Sequence, residues 1–349
     1  MAATTYKCPS CGAYLAFDPE TQGWKCDFCG SLFTQDDILG KEADVQKEPE
    51  AMQASADDAH QVVYRCQSCG SEIMTDETTV ATNCYYCHSP VVLQGKLTSD
   101  MRPDGVLPFT VDQQKAVDTF MNWVKNKRFV PKAFFKQSQV ENMSGVYYPH
   151  FVSECEVEGT LQGEGRNTQV LHSPNYITTK TDHYRVRREA DITFHSIMRP
   201  ALSKANRKLS DGIHPFPLES EKPFSDAYLT GFLAERRDIG ADSIKAGIEQ
   251  EVGGYVKPLL TNTVHYESQT LTAASRIKKI KTRYVLLPTW VLTYPNSKDK
   301  DDPYYYAMNG CTGEVCGKLP IDRKKLYLTA LGVGAAVFAV GCILSYLLF

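Results

Sequence analysis

The chain carries little net charge for its length, and this absence narrows what it can bind. Its 349 residues include 38 Lys and Arg against 41 Asp and Glu, a formal charge of −3. A chain so close to neutral gives no reason to expect a polyanion as its main partner. Collagen-like and low-complexity compositions are also absent. With 42% hydrophobic residues, the composition is that of a globular protein with more than one folded unit.

Two further absences concern targeting and catalysis. The N-terminal residues lack the basic stretch and apolar run of a secretory signal, so we expect the N-terminal hundred residues to remain where thiols stay reduced. The chain contains no P-loop, no His-Glu-x-x-His, no Gly-x-Ser-x-Gly and no dinucleotide-binding fingerprint. We therefore expect no enzymatic activity and no small-molecule substrate. An enzyme with an unrecognised site in the central region is retained as an alternative.

One long hydrophobic run is present, at the C-terminal end. The 24 residues Leu326–Phe349 carry no charge. As a helix they would span about 36 Å, enough to cross a hydrocarbon core of about 30 Å. We predict a single transmembrane helix over 326–349. Arg323, Lys324 and Lys325 precede it, and because positive flanks stay cytoplasmic, we expect a tail anchor in the cell membrane with the bulk of the chain in the cytoplasm.

Eight of the 12 cysteines form four Cys-x-x-Cys pairs arranged as an internal repeat. In each unit 14 residues separate the two pairs, and the second unit follows the first with an offset of 58 residues. The predicted metal ligands are Cys8, Cys11, Cys26 and Cys29 in the first unit and Cys66, Cys69, Cys84 and Cys87 in the second.

This spacing has a direct chemical interpretation. A Cys-x-x-Cys pair suits a tight turn, and a following glycine such as Gly12 or Gly30 permits the positive φ that such turns need. Two facing turns present four thiolates tetrahedrally, the arrangement of structural Zn²⁺ sites, although iron also accepts it. Four thiolates leave no open coordination position. We therefore predict two zinc ribbons, each folding around one structural Zn²⁺.

The charge of the ribbon region indicates what kind of partner it would bind. Residues 1–100 contain six Lys and Arg against fifteen Asp and Glu, a net charge of −9. Because phosphate neutralisation dominates nucleic-acid affinity, this region favours a protein partner, and a nucleic-acid-associated role is the alternative. We expect the aromatic residues of this region to pack the small ribbon cores: Tyr14, Trp24, Phe28, Tyr85 and Tyr86.

The central region mixes helical and strand patterns, which predicts an α+β body of two lobes. Helical spacing occurs at 111–129, with Asp112 or Thr110 as the cap, and at 226–237 and 241–256; strands are predicted at 145–161 and 284–294, and a hairpin at 304–317. The predicted divisions are zinc ribbon 1–35, acidic linker 36–60, zinc ribbon 61–98, lobes 99–220 and 221–321, and the transmembrane helix 326–349.

The motifs Tyr6–Gly12 and Trp24–Gly30, with the Tyr305–Glu314 hairpin and the terminal apolar segment, resemble those of bacterial TFIIB-type zinc-ribbon proteins. Within that group the chain is similar to the YdjG-like membrane proteins of Gram-positive bacteria. That family is associated with envelope-stress complexes containing phage-shock-protein-A-type (PspA-like) and SPFH-domain proteins. The resemblance implies a membrane-tethered adaptor that recruits such cytoplasmic partners.

Overall fold

Strands form most of the regular structure in the computed structural model, which describes residues 3–4, 6–39, 61–65, 72–84, 90–93, 101–131, 143–205, 207–294 and 304–348. The strands are β1 Ala3–Thr4, β2 Leu15–Asp18, β3 Gly23–Cys26, β4 Leu32–Phe33, β5 Gln61–Arg65, β6 Glu72–Asp76, β7 Thr79–Asn83, β8 Pro90–Leu93, β9 Gly105–Val106, β10 Ser144–Ser173, β11 Tyr176–Pro200, β12 Lys222–Pro223, β13 Leu233–Glu235, β14 Ser268–Tyr294, β15 Tyr304–Asn309 and β16 Val315–Lys318. The α-helices are α1 Gln35–Leu39, α2 Gln113–Lys125, α3 Arg207–Asp211, α4 Lys245–Thr261 and α5 Arg323–Leu348.

Eleven of the described strands belong to one mixed sheet. Its main order is β1-β8-β7-β13-β10-β14-β15-β16, with β11 on β10, β9 on β14 and β12 on β9. Two smaller sheets, β2-β3-β4 and β5-β6, share no strand pairing with it among the described residues. The chain is therefore a mixed α+β protein, as its sequence predicts. Strands from both predicted lobes pair within the large sheet, and the division at residue 220 stays a prediction.

A three-stranded ribbon, β11-β10-β14, extends from this sheet. Strand β10 pairs with β14 from Ser144 opposite Val291 to Arg166 opposite Ser268, and with β11 as far as Ser173 opposite Tyr176. The apolar pattern predicts strands only to residue 161 and from 284. Before residue 284 the apolar residues of β14 are scattered, and four of them pack against the hydrophobic cluster under α4: Leu271, Ala273, Ile277 and Ile280. The other face is polar, with cross-strand ion pairs such as that of Arg276 with Glu158 at 2.8 Å. The segment 167–191, interpreted from sequence as strands with loops, belongs almost entirely to this hairpin.

Helix α4 covers one face of the ribbon. Its buried residues are spaced by four, at Ile248, Val252, Val256 and Leu260, and they pack in one hydrophobic cluster with Cys155, Val157 and Leu161 of β10. This is the stripe of an amphipathic helix on a sheet. The helix predicted at 241–256 is confirmed, with its first turn in 3₁₀ geometry at Ala241–Ile244.

Helix α2 begins where the sequence predicts. The Asp112 carboxylate accepts a hydrogen bond from the Lys115 N–H at 2.8 Å, which identifies Asp112 as the N-cap. Ala116, Phe120 and Val124 are buried at four-residue spacing against the main core.

The predicted helix at 226–237 is wrong. Only a single 3₁₀ turn forms, at Asp226–Leu229, and the chain then enters strand β13. Gly231 separates the two, with a φ of +88° that a helix cannot contain. Strand β13 pairs with β7 and β10, so the hydrogen bonds of the sheet replace those of a helix.

Helix α5 matches the predicted hydrophobic run and is long and apolar enough to cross a membrane. It begins at Arg323, three residues before the uncharged segment, because the Asp322 carboxylate caps it by accepting from the Lys325 N–H at 3.1 Å. No buried residue occurs in the apolar part of α5 that the structure describes.

Candidate metal centre

The first cysteine unit brings four sulfur atoms together. The Sγ atoms of Cys8, Cys11, Cys26 and Cys29 all lie within 4.8 Å of one another. Cys8 and Cys29 are 3.6 Å apart, and Cys11 and Cys26 are 3.5 Å apart. Tetrahedral Zn²⁺ with Zn–S bonds of about 2.3 Å requires S–S separations of about 3.8 Å. The set therefore fits a zinc ion, and this group could hold one metal.

Two matching turns produce this geometry. Gly12 and Gly30, each directly after a Cys-x-x-Cys pair, have φ values of +77° and +72°. Their N–H groups donate to the carbonyls of Cys8 and Cys26, both at 2.8 Å. A side chain at either glycine would be strained in this left-handed conformation. The glycines thus close the two turns, as the sequence predicts.

The environment of the sulfurs is asymmetric. Cys8 and Cys26 are buried, whereas Cys11 and Cys29 face solvent. Hydrogen bonds from the side chain and backbone of Ser31 lower the pKa of the Cys29 thiol to about 6. The pKa of the Cys11 thiol moves the other way, to about 12: a hydrogen bond from the Ala13 backbone lowers it, but desolvation and hydrogen bonds to the other three thiols together raise it more. The metal-binding thiolate form is therefore favoured at Cys29 but not at Cys11. With four protein sulfurs available, no coordination position remains for a substrate.

The second unit cannot be compared in the same way. Cys66, Cys69 and Cys87 lie outside the described residues. Cys84 is buried in a small cluster with Tyr64, Val91 and Leu93. The second metal site therefore stays a prediction. Of the predicted linker 36–60, only the part within α1 is described.

The first metal module, residues 6–39, is joined to the body through Trp24. The indole of Trp24 is completely buried, and its N–H donates to the Ala227 carbonyl at 3.0 Å. Its ring centroid lies 5.4 Å from that of Phe17 and 5.5 Å from that of Tyr228. Trp24 packs against Phe17 within the ribbon, as expected, but these residues belong to one hydrophobic cluster with the body, the largest among the described residues.

Backbone contacts reinforce this junction. The Phe17 N–H donates to the Thr230 carbonyl at 3.0 Å, and the Gln22 side-chain amide donates to the Phe109 carbonyl at 2.7 Å. A Cβ atom at Gly231 would lie 3.1 Å from that of Ala16, so a glycine allows the module and body to approach closely. No signal within these segments predicts the contacts, which join residues from 87 to more than 200 positions apart in the chain.

Of the other aromatic residues expected to pack the ribbon cores, Phe28 differs from the expectation. Phe28 lies between Cys26 and Cys29 and is 83% exposed, so its predicted core role is wrong. Leu32, on β4, is 56% exposed. Tyr14 is half-buried, while Tyr85 and Tyr86 lie outside the described residues.

Histidine and carboxylate groups do not assemble a second centre in the described ranges. The first-unit cysteines are the one group of three or more potential metal ligands found there. His150 is buried, with Nε2 2.6 Å from the Ser210 hydroxyl and Nδ1 3.2 Å from the Tyr148 carbonyl. Burial lowers the pKa of His150 to about 4, so it is neutral at physiological pH.

The fold and site together define a class: an α+β protein with a Cys₄ group that could bind a metal ion, in a module fixed to its body, and a C-terminal helix long and apolar enough to span a membrane. The chain is 29% identical over 336 residues to the protein named "Uncharacterized protein YdjG" of Bacillus subtilis (strain 168), covering 96% of this chain and 95% of that relative. No family model matches the chain. No solved structure matches it.

Proposed function

We propose that the protein is a zinc-ribbon adaptor anchored in the membrane by α5, with its metal module displayed to cytoplasmic partner proteins. The observation that carries the proposal is the closed Cys₄ geometry of the first unit. Such a site stabilises the fold of a small module, and its four protein ligands leave no open coordination position at which a substrate could react. By its identical spacing, the second cysteine set, Cys66, Cys69, Cys84 and Cys87, is proposed to hold a second structural Zn²⁺.

The exposed side of the first module suits protein docking. Phe28 and Leu32 place apolar side chains in solvent on a module whose opposite side is buried through Trp24. An aromatic residue on a rigid support is a common energetic centre of interfaces. Because Trp24 fixes the module to the body, little conformational entropy is lost when a partner binds. The negative charge of residues 1–100 favours a protein over a nucleic acid.

The membrane end supports an anchored arrangement. Arg323, Lys324 and Lys325 occupy the first turn of α5, next to its apolar part. By the positive-inside rule, these flanking charges support the proposal that the body lies in the cytoplasm. The similarity to the Bacillus subtilis protein extends over nearly the whole chain. TFIIB-type ribbons and an envelope-stress role with SPFH-domain or PspA-like partners are proposed from the resemblance of the cysteine motifs, because the name of this relative gives it no function.

Affinity purification of the full chain from solubilised membranes tests the proposal. Wild type should retrieve SPFH-domain or PspA-like proteins and contain bound zinc. Cys26→Ser should lose both zinc from the first site and the partners. Phe28→Asp should keep the zinc and lose the partners, because it alters only the exposed surface. Leu259→Asp, which changes an exposed apolar residue on α4, is the matched control. Equal recovery by all four proteins would refute docking through the module.

A further inference from the structure

A groove lies along the outer edge of β11, between that strand and helices α3 and α4. Its volume is about 860 Å³, within the range of ligand sites. Six consecutive residues of β11, 194–199, line the groove. Because successive residues of a strand point to opposite faces of the sheet, the groove runs along the edge of the strand. Within the described chain β11 pairs only with β10, which leaves this edge without a neighbouring strand.

The helix side of the groove is built from small and polar residues. Gly247 and Gly254 are seven positions apart on α4 and both line the groove. A Cβ atom at Gly254 would meet nothing within 4 Å. Glycine disfavours a helix interior, yet two occur on this one face. They leave the space beside the strand edge open.

Side chains connect strand and helix at the two ends of the groove. At one end the rings of Phe194 and Tyr255 lie 6.0 Å apart. At the other, Arg199 donates to the Gly247 carbonyl at 3.0 Å and pairs with Glu251. A β-bulge opposite Glu154 inserts one extra residue into β11, which turns Phe194 and Arg199 toward the same helix.

The chemistry of the groove identifies the kind of occupant. Its ionic groups are balanced, with Arg199 and Arg207 paired to Glu251 and Asp211, so a highly charged polymer gains no net attraction. Arg199 is more than nine-tenths buried, and its Nη1 has no acceptor among the described residues. Because this atom has almost no solvent-accessible surface, an occupant of the groove gains no hydrogen bond from it. The polar groups that an occupant can pair with are the backbone groups along the free edge of β11.

We infer that this groove binds an extended peptide segment of a partner protein, which adds as a strand to the β11 edge. Strand addition satisfies a row of outward backbone groups that a compact small molecule cannot match. Phe194 and Tyr255 provide the apolar contact for a side chain of the peptide. The groove is built without the cysteine module, so this inference is tested independently of the proposed function.

A random dodecapeptide library displayed on phage, panned against the full chain in detergent micelles, provides the probe. Enriched peptides are synthesised with a fluorescent label, and their affinities are measured by anisotropy. Gly254→Leu should weaken binding at least tenfold, because leucine would fill the groove. Ala246→Leu, on the same helix but outside the groove, should change affinity less than twofold. Leucine favours the helix more than glycine, so a urea midpoint at or above that of wild type checks that Gly254→Leu is folded.

Amide hydrogen exchange locates the bound peptide. Addition of an enriched peptide should slow exchange at residues 194–199 in wild type and not in Gly254→Leu. The inference is overturned if no peptide distinguishes wild type from Gly254→Leu, or if peptides bind without slowing these amides. Protection of the outward-pointing amides, those not bonded to β10, already present in the free monomer would assign the edge to the chain itself. Protection that rises with protein concentration would assign it to a second copy.

Discussion

Replacement of Trp24 by alanine should weaken the packing between the metal module and the body and so lower the free energy of unfolding. Trp24 is completely buried among Phe17 and Tyr228, and its indole N–H is satisfied by Ala227. Truncation of a buried tryptophan costs about 3–5 kcal/mol through lost transfer energy and the cavity that remains. The four cysteine ligands are unchanged, so the bound zinc should be retained at one ion in this unit.

Urea unfolding of the full chain in detergent micelles, followed by far-ultraviolet circular dichroism, measures the effect. With a slope of about 2 kcal/mol per molar urea, a loss of about 4 kcal/mol lowers the midpoint by about 2 M. Trp24→Phe keeps most of the ring volume but loses the hydrogen bond, so a decrease of about 0.5 M is expected from about 1 kcal/mol.

Phe28→Ala is the matched control, because Phe28 is an aromatic residue of the same module with 83% of its surface exposed. Its midpoint should stay within about 0.3 M of wild type, since an exposed side chain contributes little to burial. If Trp24→Ala unfolds at the same urea concentration as Phe28→Ala, then Trp24 does not join the module to the body, and the reasoning from its burial is refuted.

Three further predictions concern pH, capping and metal. The pKa of His150 is near 4 in the folded state and near 6.5 in the unfolded state, so the unfolded state binds the proton more tightly. The contribution of His150 to the free energy of unfolding is therefore complete above pH 6.5 and falls by about 3 kcal/mol as the pH decreases to 4. Urea midpoints across this range should depend less on pH in His150→Gln, whereas exposed His172→Gln should match wild type; parallel curves for all three would contradict this. Asp112→Ala should cost about 1 kcal/mol by removing the α2 cap, and Asp118→Ala, within the same helix, should cost clearly less if capping is the cause. Chelation of zinc should increase proteolytic cleavage within the Cys₄ module before the α4-covered ribbon is cut; simultaneous loss of both would argue against local metal-dependent folding.

Features that depend on neighbouring residues were predictable from the sequence. The Cys₄ set of the first unit follows from two local turns, and the glycines after each pair take the expected positive φ. Helix α2 and its Asp112 cap, the helix after residue 241 and the apolar helix at the C-terminal end are likewise confirmed in place. In each case a few contiguous residues contain both the signal and the interactions that satisfy it.

Other features depended on residues far apart in the chain. The segment after Asp226 has helical spacing, yet pairing with β7 and β10 makes part of it a strand. The polar stretches of β10, β11 and β14 carry no strong strand pattern and are held in register by one another. Trp24 could have packed within its own module, but its position was decided by a body surface some two hundred residues away. The spacing of residues along the chain determined the cysteine ligands and the helices. Only the tertiary structure decided which strand pairs with each strand edge and which surface buries Trp24, because burial and hydrogen-bond satisfaction are properties of the assembled fold.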